Sequence, residues 1–129
     1  MLTNDFCIVQ NLVSMPGTVQ ASLQWNAAHP IFSGHFPGQP VVPGVCMLQI
    51  VTELLASVVG KPTSLKESAQ MKFLLFIDPR VSKLVDILIS YSEPEQGVYK
   101  VNATLQKEKD IYFKFAGVFT SLVTNEVKI

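Results

Sequence analysis

The sequence has little charge, few cysteines and no long hydrophobic run, and each absence excludes a class of protein. Charged residues make up 16% of the 129 residues, and ten basic side chains balance ten acidic ones. With a net charge of zero, the chain lacks the surplus of Lys and Arg with which nucleic-acid-binding proteins neutralise phosphates. Two cysteines are too few for a disulfide framework and lack metal-ligand spacing. No uncharged stretch stays apolar over the ~18 residues of a membrane-spanning helix, so we expect no membrane insertion.

The N-terminal residues MLTNDFCIVQ lack the basic segment of a secretory signal peptide, and Asp5 interrupts them early. We therefore expect a cytoplasmic protein with reduced thiols and no bound metal. Apolar residues make up 48% of the chain, which is enough to form a core. The length fits one domain, which we expect to span residues 1–129.

Charge is distributed unevenly along the chain. No Lys or Arg precedes Lys61, and no charged residue lies between Asp5 and Glu53. A surface segment of this length normally carries several charges, which keep a protein soluble. Their absence favours burial of much of residues 6–52, either in the core or against a second subunit. The alternative is an exposed surface of uncharged polar side chains.

Turn signals divide the chain into short segments. Alternating or β-branched runs predict strands at 6–13, 18–26, 68–76, 84–92, 98–107 and 111–123. Pro and Gly residues between 27 and 44 predict an irregular segment with at most a short helical turn at 30–33. A helix is predicted over 45–59, between Pro43-Gly44 and Gly60. One helix followed by a meander of strands predicts an α+β domain with an antiparallel sheet.

The predicted helix is apolar around most of its circumference, which is typical of a helix enclosed by other elements. Its less apolar positions follow helical spacing and share one stripe: Gln49, Thr52, Glu53, Ala56 and Ser57. Glu53 is the single charged residue of the helix. The stripe is therefore either the solvent-exposed face of the helix or the polar wall of a functional site.

A histidine lies in a loop rich in Pro and Gly just before this helix, in the segment HFPGQPVVPGV at 35–45. The charge of histidine changes near neutral pH, so His35 is suited to proton abstraction. The N–H groups of Gly44 and Val45 lie at the helix N-terminus, where unpaired donors favour developing negative charge. A base beside such donors is what removal of a proton next to a carbonyl requires.

This segment resembles the HFPGxPVxPGV motif of the β-hydroxyacyl-acyl-carrier-protein dehydratases of fatty-acid synthesis, and it matches all nine fixed positions. A looser resemblance follows at AQMKF (69–73) and IDP (77–79), so it covers most of the chain. It implies the hot-dog fold, in which a long antiparallel sheet wraps around a central helix. The implied reaction needs no cofactor. It removes water from a carrier-bound 3-hydroxyacyl thioester to give a trans-2-enoyl thioester, in fatty-acid or related lipid or polyene synthesis.

The resemblance also implies roles for individual residues. His35 corresponds to the histidine that removes the C2 proton, and Gly44 to the glycine whose N–H binds the thioester carbonyl. In the family, a Glu or Asp on the central helix of the partner subunit protonates the departing hydroxyl, but the matching position here is Gln49. A carboxamide cannot deliver a proton at neutral pH. One turn later, where family members commonly have glutamine, this chain has Glu53.

Three hypotheses follow from the reversed order of Gln49 and Glu53. In the first, Glu53 replaces the missing acid, directly or through a water, and burial beside an apolar acyl tunnel raises its pKa. In the second, Glu53 is structural, and the chain is a non-catalytic or assisting acyl-binding subunit that pairs with an active dehydratase. A hot-dog thioesterase, in which Glu53 activates water, is a third hypothesis, which the loop motif favours least.

Other residues have supporting roles in these hypotheses. Phe36, Met71 and Phe73 are candidates for lining an acyl tunnel. His29 is expected to help build the loop, and Cys46 to pack within the helix. Because family sites are shared between two chains, we expect a homodimer or a larger assembly of such dimers, with acyl carrier protein as a partner. The basic residues that could contact the carrier are Lys61, Lys66, Lys72, Arg80 and Lys83.

Overall fold

The chain forms two strands, then two helices and then four further strands, and the computed structural model describes residues 1–121. The strands are β1 Cys7–Met15, β2 Thr18–Trp25, β3 Thr63–Phe73, β4 Leu84–Glu95, β5 Val98–Lys107 and β6 Asp110–Ser121. The helices are α1 Pro30–Gly34 and α2 Gly44–Val59.

The strands form one antiparallel sheet in the order β1-β2-β4-β5-β6-β3, so β1 and β3 are its two edges. Along β2, β4 and β5, buried side chains recur at every second position, which is the period of a strand with one face in the core. These side chains join the apolar side chains of α2 in one continuous core. The predicted α+β architecture, an antiparallel sheet around a central helix, is therefore confirmed.

Helix α2 begins at Gly44, directly after Pro43, and ends before Gly60. Gly60 adopts the left-handed conformation with φ of 77°, and its N–H donates to the Ala56 carbonyl. The predicted helix is confirmed, with its start one residue earlier. Its buried apolar residues are Cys46, Met47, Ile50, Val51, Leu54 and Leu55. Within residues 1–121, no helix combines the length and the apolar character needed to cross a membrane.

Strand β3 differs most from its prediction, which placed it at 68–76. The strand begins at Thr63 and ends at Phe73. Two irregularities interrupt its pairing with β6, one after Leu65 and one after Ser68. Each irregularity shifts the alternation of inward- and outward-facing side chains, so the first half of the strand has no regular period in the sequence.

The other predicted strands are confirmed, with small differences at their ends. Strand β4 continues to Glu95, and strand β6 is described from Asp110 to Ser121. The last strand was predicted to reach residue 123, and residues 122 and 123 lie outside the part of the chain that the structure describes.

The uncharged segment 6–52 is only partly buried by the chain itself. On the edge strand β1, the side chains of Ile8, Leu12, Val13 and Met15 are 48–60% exposed. An edge strand has a neighbour on one side only, and nothing else in residues 1–121 covers these side chains. Burial in the core is therefore wrong as a prediction for these four side chains, and burial against a second subunit stays a prediction.

Candidate active site

The loop between α1 and α2 holds His35 through backbone hydrogen bonds. Phe36 and Gln39 each donate an N–H to the other's carbonyl, at 3.1 and 2.9 Å, and so close a tight turn. Gly38 lies within this turn with φ of 76°, a conformation that favours glycine. The His35 carbonyl accepts the N–H of Val41 at 3.0 Å. The backbone is therefore fixed on both sides of the turn, and the position of His35 with it.

The imidazole of His35 is half-buried and stacks on the ring of Phe36, with centroids 4.2 Å apart. Its Nδ1 atom is buried, and within residues 1–121 it has no hydrogen-bond partner. Most buried polar atoms in proteins are paired, so an unpaired ring nitrogen marks a candidate functional group. Phe36 is half-exposed, and it is not among the residues that line the apolar groove beside the N-terminus of α2. The structure thus places Phe36 beside the candidate base.

His29 has the structural role predicted for it. Its Nδ1 accepts the N–H of Ile31 at 3.1 Å and caps α1. Its Nε2 lies 3.1 Å from a carboxylate oxygen of Asp5. Both ring nitrogens are thus engaged, which distinguishes His29 from His35.

The N-terminus of α2 lies against the ring of Phe73. The first backbone hydrogen bond of the helix is donated by Cys46 to the Pro43 carbonyl, so the helix provides no acceptor for the N–H groups of Gly44 and Val45. A Cβ atom at Gly44 would lie 2.6 Å from the Phe73 ring, so only glycine fits here without moving the ring. The predicted donors to the thioester carbonyl and a predicted acyl-lining residue are thus in contact.

An apolar groove of about 380 Å³ opens beside this helix end, and we call it the Gly44 groove. Its lining residues are Gly44, Val45, Met47, Leu48, Met71, Phe73, Leu75 and Phe76. No residue of this lining is charged, and the volume falls at the lower end of the roughly 300–1,000 Å³ range of ligand pockets. The structure therefore brings Gly44, Val45, Met71 and Phe73 together in one groove.

The polar stripe of α2 faces a second groove, of about 460 Å³, which we call the Gln49 groove. The five residues of the stripe line it together with Met1, Gly60, Lys61, Pro62 and Thr63. The stripe is therefore one wall of a groove. The two grooves have no lining residue in common, so one chain does not bring Gln49 or Glu53 to the groove that contains Gly44.

Glu53 is buried, with 7% of its surface exposed, and each of its carboxylate oxygens accepts two hydrogen bonds. Oε1 accepts from the N–H and the hydroxyl of Thr3, at 2.9 and 2.8 Å. Oε2 accepts from the N–H of Leu2 and from Nε2 of Gln49, each at 2.9 Å. We call these four hydrogen bonds the Glu53 clamp. They tie the N-terminal residues to α2 and occupy both oxygens of the carboxylate.

The Glu53 clamp decides the ionisation of this carboxyl. Burial on its own raises the pKa of Glu53, but the hydrogen bonds from Thr3, Leu2 and Gln49 stabilise the charged form and outweigh burial. The pKa of Glu53 therefore lies below its ordinary value, and the group is an ionised acceptor at neutral pH. The prediction of a raised pKa is wrong, because the four hydrogen bonds of the clamp stabilise the buried carboxylate in its charged form.

The two cysteines are buried thiols without features of a reactive site. Cys46 packs within α2 as predicted, and burial raises the pKa of its thiol. Burial, together with the nearby charges of Glu53 and Cys46, raises the pKa of Cys7 to about 12. Among residues 1–121, no group of three or more His, Cys, Asp or Glu side chains could hold a metal ion.

Sequence reasoning missed the residues that complete the clamp and the Gly44 groove. Leu2 and Thr3 carry no motif, and no local pattern connects them to a helix some fifty residues later. Leu75 and Phe76 could have been found from the sequence, because they belong to a run of five apolar residues, 73–77. Phe76 lines the groove and is 87% exposed.

Comparisons with known proteins agree on one family. A family model described as ApeI-like, ApeI dehydratase, matches residues 12–112. The 3-hydroxyacyl-[acyl-carrier-protein] dehydratase FabZ of Rickettsia felis is 26% identical over 91 residues, which cover 70% of this chain and 57% of the relative. FabZ of Roseobacter denitrificans is 31% identical over 77 residues, which cover 57% of this chain and 49% of the relative. The chain thus spans about half the length of the curated relatives it matches.

Solved structures share the fold at low sequence identity. The dehydratase heterocomplex ApeI:P from Xenorhabdus doucetiae matches with a TM-score of 0.72 and 17% identity, over 88% of this chain and 97% of that chain. A sigma28-regulated virulence protein from Campylobacter jejuni matches with a TM-score of 0.66 and 7% identity, over 92% of this chain and 87% of that chain. At these identities the likeness shows the hot-dog fold.

Proposed function

Because the chain belongs to the ApeI-like dehydratase family, we propose that it is one subunit of a 3-hydroxyacyl-thioester dehydratase whose general acid comes from a different chain. His35 takes the C2 proton of the substrate, and the C3–O bond breaks. The acid of the partner protonates the departing hydroxyl, which leaves as water. The product is a trans-2-enoyl thioester.

The His35 half of the site supports the first step. The unpaired, buried Nδ1 of His35 is consistent with a ring held for chemistry and not for structure. The N–H groups of Gly44 and Val45 have no acceptor within the helix, so they suit the negative charge that develops on the thioester oxygen. The apolar Gly44 groove beside them suits the hydrocarbon part of an acyl group.

The Glu53 clamp is the observation that carries the proposal. A general acid must carry a proton and release it, whereas Glu53 is ionised and its two oxygens are occupied by four donors. Gln49, at the position of the family's acid, cannot supply the proton either. The same occupancy argues against a thioesterase, because Glu53 has no oxygen available to take a proton from water.

A site shared by two chains fits the separation of the two grooves. In a homodimer, the His35 of one protomer would meet the Gln49 of its partner, and both sites would lack an acid. A different chain with a carboxylic acid at the corresponding position would complete the site that contains His35. The likeness to a dehydratase described as a heterocomplex supports such a pair. The edge strand β3 is available to continue the sheet into the second chain.

The substrate is an acyl group on acyl carrier protein, as in the names of the FabZ relatives. Carrier-bound substrates of fatty-acid or related lipid or polyene synthesis favour a cytoplasmic location. Of the basic residues considered for carrier contact, Arg80 forms a bidentate pair with Asp78, while Lys61, Lys66, Lys72 and Lys83 are exposed. The four lysines are therefore the better candidates for an acidic carrier.

Dehydration of a 3-hydroxyacyl-carrier substrate, followed by the ultraviolet absorbance of the enoyl thioester, tests the proposal. The purified chain alone is expected to be inactive. The double variant Gln49→Glu with Glu53→Gln restores the family's order of residues and is expected to gain activity. Adding His35→Ala to the double variant should lower that activity on the order of 10²-fold or more. A wild-type chain that is active alone and loses activity in Glu53→Gln would instead identify Glu53 as the acid.

Light scattering tests the assembly. The chain at micromolar concentration is expected to have the mass of a dimer or of a larger assembly of dimers. The proposed site is shared between two chains, and the exposed apolar side chains of the uncharged edge strand β1 favour contact with a second chain. A monomer would contradict the expectation for the chain alone and would leave assembly to the heterologous partner.

A further inference from the structure

We infer that Gln49 recognises the 3-hydroxyl of an acyl chain through its amide oxygen, and that Glu53 is the positioning residue that fixes this orientation. The inference deepens the proposed function and rests on it, because the resemblance puts position 49 next to the hydroxyl that leaves. It gives the Gln49 groove a ligand class: 3-hydroxyacyl chains, which the groove holds without dehydrating them.

The Glu53 clamp decides which end of the Gln49 amide faces the groove. An ionised carboxylate accepts hydrogen bonds and donates none. The group that lies 2.9 Å from Oε2 of Glu53 is therefore the Nε2 amino group of Gln49. The amide oxygen Oε1 is then turned away from Glu53. A neutral partner at position 53 would accept either end of the amide, so the charge of Glu53 is what makes the orientation unique.

The other polar side chains of the stripe are already engaged. The hydroxyls of Thr52 and Ser57 donate to the carbonyls of Leu48 and Leu54, each at 2.9 Å. Both oxygens of Glu53 are occupied by the clamp. The exposed Gln49 side chain, which lines the groove, therefore presents its amide oxygen as an acceptor to whatever enters.

An amide oxygen in this position selects a donor. A 3-hydroxyacyl chain brings an O–H group, whereas a saturated chain of the same length brings only C–H groups. Since a carboxamide does not release a proton at neutral pH, the contact binds the hydroxyl and does not convert it into a leaving group. One neutral hydrogen bond gives a preference on the order of 3–10-fold for the hydroxylated chain.

The test compares two probes of equal chain length on the purified full chain. They are pantetheine with an amide-linked 3-hydroxyoctanoyl group and pantetheine with an amide-linked octanoyl group. The amide link makes the C2 proton less acidic than in a thioester, so the hydroxylated probe stays intact. Calorimetric titration gives a dissociation constant for each probe. The ratio of the two constants is the readout, because damage to the groove or loss of folded protein weakens both probes alike.

Three variants separate the roles of the two residues. Gln49→Met keeps the side-chain length and removes the acceptor, so the ratio should fall to about one. Glu53→Gln leaves Gln49 in place but lets its amide turn, so the ratio should also fall. Glu108→Gln makes the same chemical change at an exposed position between β5 and β6 and should leave the ratio unchanged. Gln49 is exposed, so Gln49→Met is expected to fold even if Glu53→Gln is destabilised.

Each outcome either supports or overturns the inference. A wild-type ratio retained in Gln49→Met would overturn the role of Gln49, and one retained in Glu53→Gln would overturn the positioning role. If the wild type binds both probes with equal affinity, the inference fails while the proposed function stands. If it binds neither probe, acyl binding itself fails, and the proposed function fails with the inference.

Discussion

The substitution Glu53→Gln has an effect on stability that can be worked out from the structure. The carboxylate is 7% exposed and accepts four hydrogen bonds, two on each oxygen. A carboxamide has nearly the same shape but replaces one oxygen by an amino group. On the side of the new amino group, a donor then faces the two donors that the oxygen had bound. On the other side, the remaining oxygen still accepts hydrogen bonds but has lost its charge.

The structure indicates which side the new amino group takes. On the Thr3 side, it would leave the buried Thr3 N–H without an acceptor. On the Leu2 side, the N–H of Leu2 is only partly buried and can reach water, and the Gln49 amide can turn to present its oxygen. The second arrangement is therefore favoured. Losing one hydrogen bond to a charged group and weakening the others should lower the free energy of unfolding by about 2–4 kcal/mol.

Urea unfolding at neutral pH measures this difference. Trp25 is the single tryptophan of the chain and is 6% exposed, so its fluorescence reports unfolding of the core. The control Glu108→Gln, at an exposed position, should change the free energy of unfolding by no more than about 0.5 kcal/mol. If Glu53→Gln is as stable as this control, the clamp does not stabilise an ionised carboxylate, and Glu53 is not the structural group described above.

Further predictions concern pH, the Gly44 groove and the thiols. Since the folded-state pKa of Glu53 is lowered, its contribution to stability is complete above the pKa of an unfolded glutamate, about 4.3. The stability gap between wild type and Glu53→Gln should therefore close as the pH falls through the lower, folded-state value, as urea titrations at neutral and acid pH can show. In Gly44→Ala, the added methyl group must displace the Phe73 ring, an overpacking that costs about 1–3 kcal/mol unless the half-exposed ring turns into the groove. Calorimetry should then show weaker binding of acyl-pantetheine probes, and unchanged affinity would exclude the groove as the acyl site. Because the pKa values of Cys7 and Cys46 are raised by burial, both thiols should react slowly with a thiol reagent until urea unfolds the chain, and rapid labelling of the native chain would contradict this.

The parts of the fold that depend on local signals could be predicted from the sequence. Helix α2 is marked by Pro43-Gly44 before it and by Gly60 after it, and both signals act within one turn of the helix. The start of β3 could not be predicted, because its two irregularities depend on pairing with β6, more than forty residues later. An alternating pattern identifies a strand only where the pairing is regular.

The candidate site also has features that could be predicted from the sequence and features that could not. The loop motif predicts His35 and Gly44 as site residues, because the Pro and Gly residues that shape their backbone lie in the same short segment. The environment of Glu53 could not be predicted, because its ionisation depends on donors from Leu2 and Thr3, which only the fold brings to the helix. Burial alone suggests a raised pKa for Glu53, and the direction of the pKa shift reverses once these donors are known.

Complementation between the wild type and a triple variant tests most directly whether a complete site needs the base of one chain and the acid of another. The wild type has His35 and no acid. The triple variant His35→Ala, Gln49→Glu and Glu53→Gln has the family's acid and no base. Each is expected to be inactive alone, and their co-expression should give mixed dimers that dehydrate a 3-hydroxyacyl-carrier substrate. Dehydration by the wild type alone would contradict this account. Inactive mixed dimers would also contradict it, provided that the double variant Gln49→Glu with Glu53→Gln, which retains His35, is active.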